Sequence, residues 1–171
     1  NACVVALATQ TITEPALLSA SVSKTDVLCN GASTGAISIT TPTGGVAPYE
    51  FSMNGGAYQS SGSFTGLVAG TYTLSIRDAN ACVVALATQT ITEPALLSAS
   101  VSKTDVLCNG ASTGAISITT PAGGIAPYEF SMNGGTYQSS GSFTGLAAGT
   151  YTLSIRDANA CVVALATQTI T

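Results

Sequence analysis

The sequence lacks histidine and tryptophan altogether, and only 7% of its 171 residues are charged. Without histidine, neither a Ser-His-Asp nor a Cys-His catalytic arrangement can be assembled. Lysine and arginine number four in total, too few to follow a phosphate backbone, so no nucleic-acid partner is expected. The longest apolar run, residues 2–8, is far shorter than the roughly 18 residues of a membrane span.

Acidic residues are also scarce, with eight in the chain, and they occur singly rather than in pairs suited to glycoside chemistry. The sequence therefore predicts a protein that is not an enzyme and needs no cofactor. Calcium is the metal to consider, with Asp26, Asp78 and Asn80 as candidate ligands. No loop holds two acids, however, and Asp78 is better explained as a cap on the backbone of its own turn.

A repeat of 79 residues organises the chain, because the segment that begins at Asn1 returns at Asn80 and again at Asn159. A period this long does not suit a solenoid but does suit a small β domain strung on a chain. Near-identity of this kind is typical of tandem duplication, which lengthens a stalk more readily than it improves an enzyme. Residues 1–79 and 80–158 differ at four positions, Thr43/Ala122, Val46/Ile125, Ala57/Thr136 and Val68/Ala147.

Alternating β-branched and small residues, with turn signals every 8–12 residues, predict an all-β protein of tandem Ig-like antiparallel β-sandwich domains. Asn54-Gly55 predicts a two-residue hairpin, because both positions of a type I′ turn need positive φ. Tyr72 follows Gly70 and fits either a tyrosine corner or a plain core position. The strands predicted in the first copy are 18–23, 36–40, 49–53, 63–67, 71–77 and 82–91.

Proline punctuates the end of each copy, at Glu14-Pro15 and Glu93-Pro94, and proline suits the end of a strand. We place the boundaries there. Residues 1–13 are then the last strand of a preceding repeat, 15–92 one Ig-like domain and 94–171 a second. With no initiator methionine and no signal segment, we expect a piece of a longer protein. The short linker predicts a stiff array whose first partners are neighbouring repeats of the same chain.

The cysteines, two per repeat, indicate one disulfide per domain and an oxidising, extracellular compartment. The boundaries above pair Cys29 with Cys82 and Cys108 with Cys161, and they leave Cys3 without a partner. A hairpin turn at residues 14–16 would instead pair Cys3 with Cys29 and Cys82 with Cys108. Reduced thiols are the third alternative. Without histidine or a C-x-x-C motif, a zinc site is not expected.

Several motifs resemble the SprB repeat family. Residues 29–37 resemble its opening C-x-G…G-x-I, residues 44–52 its GG-x-x-PY-x-[YF]-S core, and residues 67–74 its L-x-AGTY-x-[VL] segment. Residues 78–82 are similar to its DANGC, except that Ala81 replaces glycine, and residues 91–94 match its closing ITEP. Met53 stands where the family often has tryptophan.

The resemblance implies the repeat region of a very large secreted adhesin, exported by the type IX system to the surface of a gliding Bacteroidetes cell. In that interpretation the chain is a structural stalk. One alternative is a polysaccharide-binding module, in which Tyr58 or Phe64 would contact sugar rather than pack against the domain. A second alternative is a self-associating filament, in which strand 1–13 completes a neighbour's sheet.

Overall fold

The computed structural model describes residues 3–171, so the first two residues of the predicted strand 1–13 lie outside the described residues. The fold consists of twelve strands, six in each repeat, and no helix occurs within residues 3–171. The strands are β1 Ser19–Thr25, β2 Gly35–Thr43, β3 Glu50–Met53, β4 Ser63–Leu67, β5 Gly70–Arg77, β6 Val83–Ile91, β7 Ser98–Thr104, β8 Gly114–Ala122, β9 Glu129–Met132, β10 Ser142–Leu146, β11 Gly149–Arg156 and β12 Val162–Ile170.

Each repeat builds two three-stranded sheets, with the orders β1-β2-β4 and β3-β5-β6 in the first and β7-β8-β10 and β9-β11-β12 in the second. The pairings are antiparallel, as in β3 with β5 and β7 with β8. In Ig nomenclature the two sheets are A-B-E and C-F-G. The predicted all-β, Ig-like sandwich is therefore confirmed.

The core of the second repeat lies between its two sheets, because both supply the buried side chains. This follows from alternation: Leu153 and Ile155 on β11 point inward, two residues apart, while Ser154 between them does not. The same positions of the first repeat, Leu74 and Ile76, are buried as the period-2 pattern predicts. The second core comprises Leu97, Ile116, Ile118, Phe130, Leu146, Leu153, Ile155 and Ile170.

Two local predictions can be compared directly with the backbone. Asn54 and Gly55 have φ of 51° and 70°, which is the positive-φ pair that the hairpin after β3 requires. In the second repeat, the hydroxyl of Tyr151 donates to the carbonyl of Ala147 at 3.0 Å. This is a tyrosine corner near the start of strand F, which is one of the two arrangements predicted for the equivalent Tyr72.

Residues 3–18 are outside any strand, and residues 3–17 are exposed. The described part of the predicted strand 1–13 thus forms no strand here. Among residues 3–171, no helix is long and apolar enough to cross a membrane.

The chain divides into two units that do not follow the repeat boundaries. Unit 1 comprises Asn1–Ser23, Ile37–Ser63 and Thr71–Gln89, and unit 2 comprises Lys24–Ala36, Phe64–Gly70 and Thr90–Thr171. Unit 2 therefore contains the whole second repeat together with the segment of the first repeat that carries Cys29.

Candidate functional site

A buried aspartate organises the turn between the fifth and sixth strands of the first repeat. Asp78 is only 4% exposed. Its Oδ1 accepts hydrogen bonds from the backbone N–H groups of Asn80 and Cys82, both at 2.9 Å. Its Oδ2 accepts from the N–H of Val46 at 3.0 Å. One carboxylate thus fixes the turn before β6 and ties it to the loop between β2 and β3.

The electrostatics of Asp78 follow from these contacts. Burial by itself raises the pKa of the carboxyl, because the charged form loses water. The three N–H donors, from Cys82, Val46 and Asn80, stabilise the charged form, and the net result is a pKa below the ordinary value of 3.8. The capping role foreseen for Asp78 is the one that the structure shows.

The second repeat repeats this turn in unit 2. Asp157 accepts from the N–H groups of Asn159 and Cys161 at 2.9 Å each, and from Ile125 at 2.9 Å. Within each turn an alanine lies in the left-handed region, with φ of 62° at Ala81 and 61° at Ala160. Glycine is the residue that adopts this conformation without strain, which explains why the related motif has glycine there. The turn ends on a cysteine in both copies.

The structure joins Cys29 to Cys161, with 5.6 Å between their Cα atoms. Both residues belong to unit 2. Cys3, Cys82 and Cys108 carry free, exposed thiols. Neither predicted pairing scheme is formed: the bonds Cys29–Cys82 and Cys108–Cys161 are absent from the described residues, and so are Cys3–Cys29 and Cys82–Cys108. The observed bond instead connects the first repeat to the second.

The geometry of the second repeat explains why a pairing within one repeat fails. The N–H of Val106 donates to the carbonyl of Thr171 at 3.1 Å, so the loop that carries Cys108 lies beside the end of β12. Cys161 lies at the beginning of β12, a strand of nine residues. At about 3.3 Å per residue the two cysteines are roughly 30 Å apart, whereas a disulfide needs Cα atoms within about 7 Å.

Hydrogen bonds surround the disulfide in unit 2. The side chain of Asn30 donates to Oε1 of Glu93 at 3.1 Å and to the carbonyl of Pro94 at 3.0 Å. The N–H of Gly31 donates to Oε2 of Glu93 at 2.6 Å. The side chain of Asn159 donates to the carbonyl of Leu28 at 3.1 Å. The Cys29-Asn30-Gly31 segment and the end of the ITEP segment therefore contact each other. We call this contact, together with the turn that carries Cys161, the junction (residues 28–31, 93–94 and 159–161).

The calcium candidates are engaged by donors rather than left open. Oδ1 of Asp26 accepts from Nζ of Lys24 and from the N–H of Thr92, both at 2.8 Å. The hydrogen bond from Lys24, followed by that from Thr92, lowers the pKa of Asp26. Asn80 takes part through its backbone N–H, as described above. Across residues 3–171 no group of three or more Asp, Glu, Cys or His side chains is arranged to hold a metal ion.

The candidate sugar-contacting aromatics also have partners. The guanidinium carbon of Arg77 lies 4.2 Å from the ring centroid of Tyr58, and the hydroxyl of Tyr58 lies 3.2 Å from that of Ser75. In the second repeat, Phe143, the equivalent of Phe64, packs against the core. Tyr58 and Phe143 therefore pack against their own repeats.

The sequence shows residues 29–31 and 91–94 as family motifs, but it predicts no role for Asn30, Glu93 or Asn159. The available signal was their chemistry: an amide and a carboxylate beside cysteine and proline, repeated with the same period.

The SprB repeat family model matches residues 21–58 and 100–137, one match in each copy, and confirms the resemblance. These matches indicate an adhesin-type repeat region of a cell-surface protein. No curated protein matches the chain. Among solved structures, it is similar to a C-terminal 282-residue fragment of intimin in complex with the intimin-binding domain of the translocated intimin receptor, with 17% identity and a TM-score of 0.43. That match covers 91% of this chain but 64% of the fragment, so the chain spans less than two thirds of its length.

Trypsin offers a direct test of the disulfide, because cleavage after Lys24, Arg77, Lys103 and Arg156 places each cysteine in a different peptide. We expect a non-reduced digest to contain peptide 25–77 joined to peptide 157–171. Closing a loop with a sequence separation of 132 removes roughly 5 kcal/mol of unfolded-state entropy in the chain-entropy account, so reduction is also expected to lower the melting temperature. A 25–77 peptide joined to 78–103 would contradict the assignment.

The lowered pKa of Asp78 predicts how its substitution depends on pH. A carboxyl with a folded pKa below its unfolded value of 3.8 stabilises the fold above about pH 4, and that contribution is lost as the pH falls through the folded value. We expect Asp78→Asn to lower the melting temperature at pH 7 and to differ less from the parent below pH 4. Glu14→Gln, at an exposed position, is the control. Equal losses for Asp78→Asn at both pH values would contradict this role of the charge.

Proposed function

We propose that this pair of SprB repeats is part of the non-enzymatic stalk of a very large secreted adhesin, carried on the surface of a gliding bacterium and exported by the type IX system. In this proposal the two Ig-like domains are residues 15–92 and 94–171. The observation that carries it is the construction of one sandwich twice in direct succession, with the same strands and nearly the same hydrogen bonds in each copy. Repetition adds length without adding chemistry.

The polar side chains support this interpretation because their contacts are internal. Glu50 and Arg77 pair across β3 and β5, and Glu129 and Arg156 repeat the pair across β9 and β11. The buried aspartates cap turns, as shown above.

A polysaccharide-binding module is less well supported. Sugar recognition of the stacking kind needs an open aromatic face, whereas the guanidinium of Arg77 covers one face of Tyr58 and that of Arg156 lies 4.2 Å from the ring centroid of Tyr137. In the stalk proposal, the surface polysaccharide or other substratum is contacted elsewhere in the adhesin.

A self-associating filament has one specific observation in its favour. Residues 3–13 have the same sequence as the segments that form β6 and β12, yet they form no strand here. Their large apolar side chains are exposed, with Val4 at 89%, Leu7 at 91% and Ile12 at 97%. Such a segment can add to or replace a strand in another copy.

The stalk proposal predicts length that scales with copy number. A strand of eight or nine residues spans roughly 30 Å, so we expect the maximum dimension to rise by about 30 Å or slightly more for each added repeat. Small-angle scattering on chains of two, four and six repeats measures this directly. A linear rise supports the stalk, and a compact particle whose dimension hardly grows would contradict it.

A glycan-binding screen on the same chains separates the stalk from the lectin alternative. We expect no saturable binding by the two-repeat chain. Glycan binding that rises in proportion to the number of repeats would show that the repeats themselves bind the ligand, and would contradict a purely structural stalk.

A further inference from the structure

The Cys82 turn of unit 1 has the features of the Cys161 turn of unit 2 but no bonded partner. In unit 2, a cavity of about 280 Å³ is lined by Pro94, Leu97, Asp157 and Cys161 together with Cys29 and Asn30. In unit 1, a cavity of about 220 Å³ is lined by Pro15, Leu18, Asp78 and Cys82. These four positions correspond one to one with a shift of 79 residues. We call this second cavity, with residues 14–18, 45, 78, 82 and 84, the socket.

The socket has the same internal hydrogen bonds as the cavity in unit 2, although Cys82 carries a free thiol. The hydrogen bonds of Asp78 match those of Asp157 to within 0.1 Å, although only the second turn is bonded to another cysteine loop. The two cavities differ in the exposure of one leucine. Leu96, which lines the cavity that also contains Cys29, is 63% exposed, whereas the equivalent Leu17 in the socket is 82% exposed. A surface that does not rearrange on binding loses less conformational entropy when it docks.

The complementary loop, which we call the plug (residues 107–111), is also present in free form. The N–H of Ala111 donates to the carbonyl of Cys108 at 3.0 Å, as Ala32 does to Cys29 in the bonded loop. The N–H of Leu107 donates to Thr113 Oγ1 at 2.9 Å, and Leu28 makes the same bond to Thr34. Leu107 is 80% exposed, whereas Leu28 in the occupied junction is 50% exposed.

We propose that the socket binds the plug of a second copy of this chain, head to tail, as successive copies would bind in the proposed stalk, and that docking leads to a disulfide between Cys108 of one copy and Cys82 of the other. Within unit 2 the equivalent loop, with Cys29 and Asn30, already lines the equivalent cavity and is bonded to Cys161. Glu14 and Pro15 take the places of Glu93 and Pro94, so the carboxylate that receives Asn30 and Gly31 has a counterpart for Asn109 and Gly110. Plug and socket are different surfaces, so the contact is heterologous and can be repeated along an array of copies.

The covalent step needs a two-electron oxidant, which a small-molecule disulfide such as oxidised glutathione supplies. The Cys108 thiolate attacks one sulfur of that disulfide, forming a mixed disulfide and releasing one thiolate. The Cys82 thiolate then attacks the Cys108 sulfur and releases the second thiolate. Each protein thiol loses one proton to solvent, and the two electrons reside on the two released thiols.

The test uses two full-length variants, each keeping the Cys29–Cys161 bond. Cys3→Ser/Cys82→Ser leaves the plug thiol, and Cys3→Ser/Cys108→Ser leaves the socket thiol. All three substituted cysteines are free and exposed, so the fold is expected to persist. The variants, one carrying a mass tag, are mixed in equal amounts in a glutathione redox buffer and analysed without reduction by gel and mass spectrometry.

Random collision of equally reactive thiols gives about twice as much heterodimer as either homodimer. We expect a several-fold larger excess of heterodimer, joined through peptides 104–156 and 78–103. Glu14→Ala in the socket variant is expected to reduce that excess, and Glu50→Ala, whose carboxylate pairs with Arg77 rather than lining the socket, is the matched control. A random ratio, or an excess insensitive to Glu14→Ala, would overturn the proposal. The stalk function is measured independently by length, so either can fail alone.

Discussion

The architecture around the cysteines depends on one buried carboxylate in each repeat. Asp78 and Asp157 each accept three backbone N–H bonds, and those bonds hold the turn that presents the following cysteine. The donors are needed because Asp78 is itself buried, and a buried carboxylate without hydrogen-bond partners is costly. The pKa of Asp78 is lowered for the same reason, because the backbone N–H donors stabilise its charged form. In unit 2 the capped turn ends on Cys161, whose Cα lies 5.6 Å from that of Cys29.

This cap gives the proposed stalk a mechanical property. With Cys29 and Cys161 bonded, tension between the two ends of the chain passes through the sulfur atoms and bypasses the residues between them. Unfolding of the bypassed sandwich then adds no length. An adhesin repeat that must hold a contact under drag benefits from such a bond, and the near-identity of the copies lets every junction be built by the same residues.

The sequence was sufficient for the fold because alternation, turn chemistry and the repeat all agreed. Ile76 and Ile155 are fully buried where the period-2 pattern puts them, and Asn54-Gly55 adopts its hairpin. The disulfide was beyond the same reasoning, because spacing along the chain does not say which end of a strand faces which loop. Cys108 and Cys161 share a repeat but lie at opposite ends of β12. Glu93 and Asn30 were missed for the same reason, since their contact becomes visible once Cys29 is placed beside Cys161.

Pulling single chains from both termini tests the central claim, that a covalent junction carries the load. In the reduced chain, full unfolding releases the segment between Cys29 and Cys161, a separation of 132 residues that amounts to about 450 Å at about 3.4 Å per residue. In the oxidised chain we predict that this length is missing, and that adding a thiol reductant under force restores it. Equal contour lengths for the oxidised and reduced chains would contradict the account.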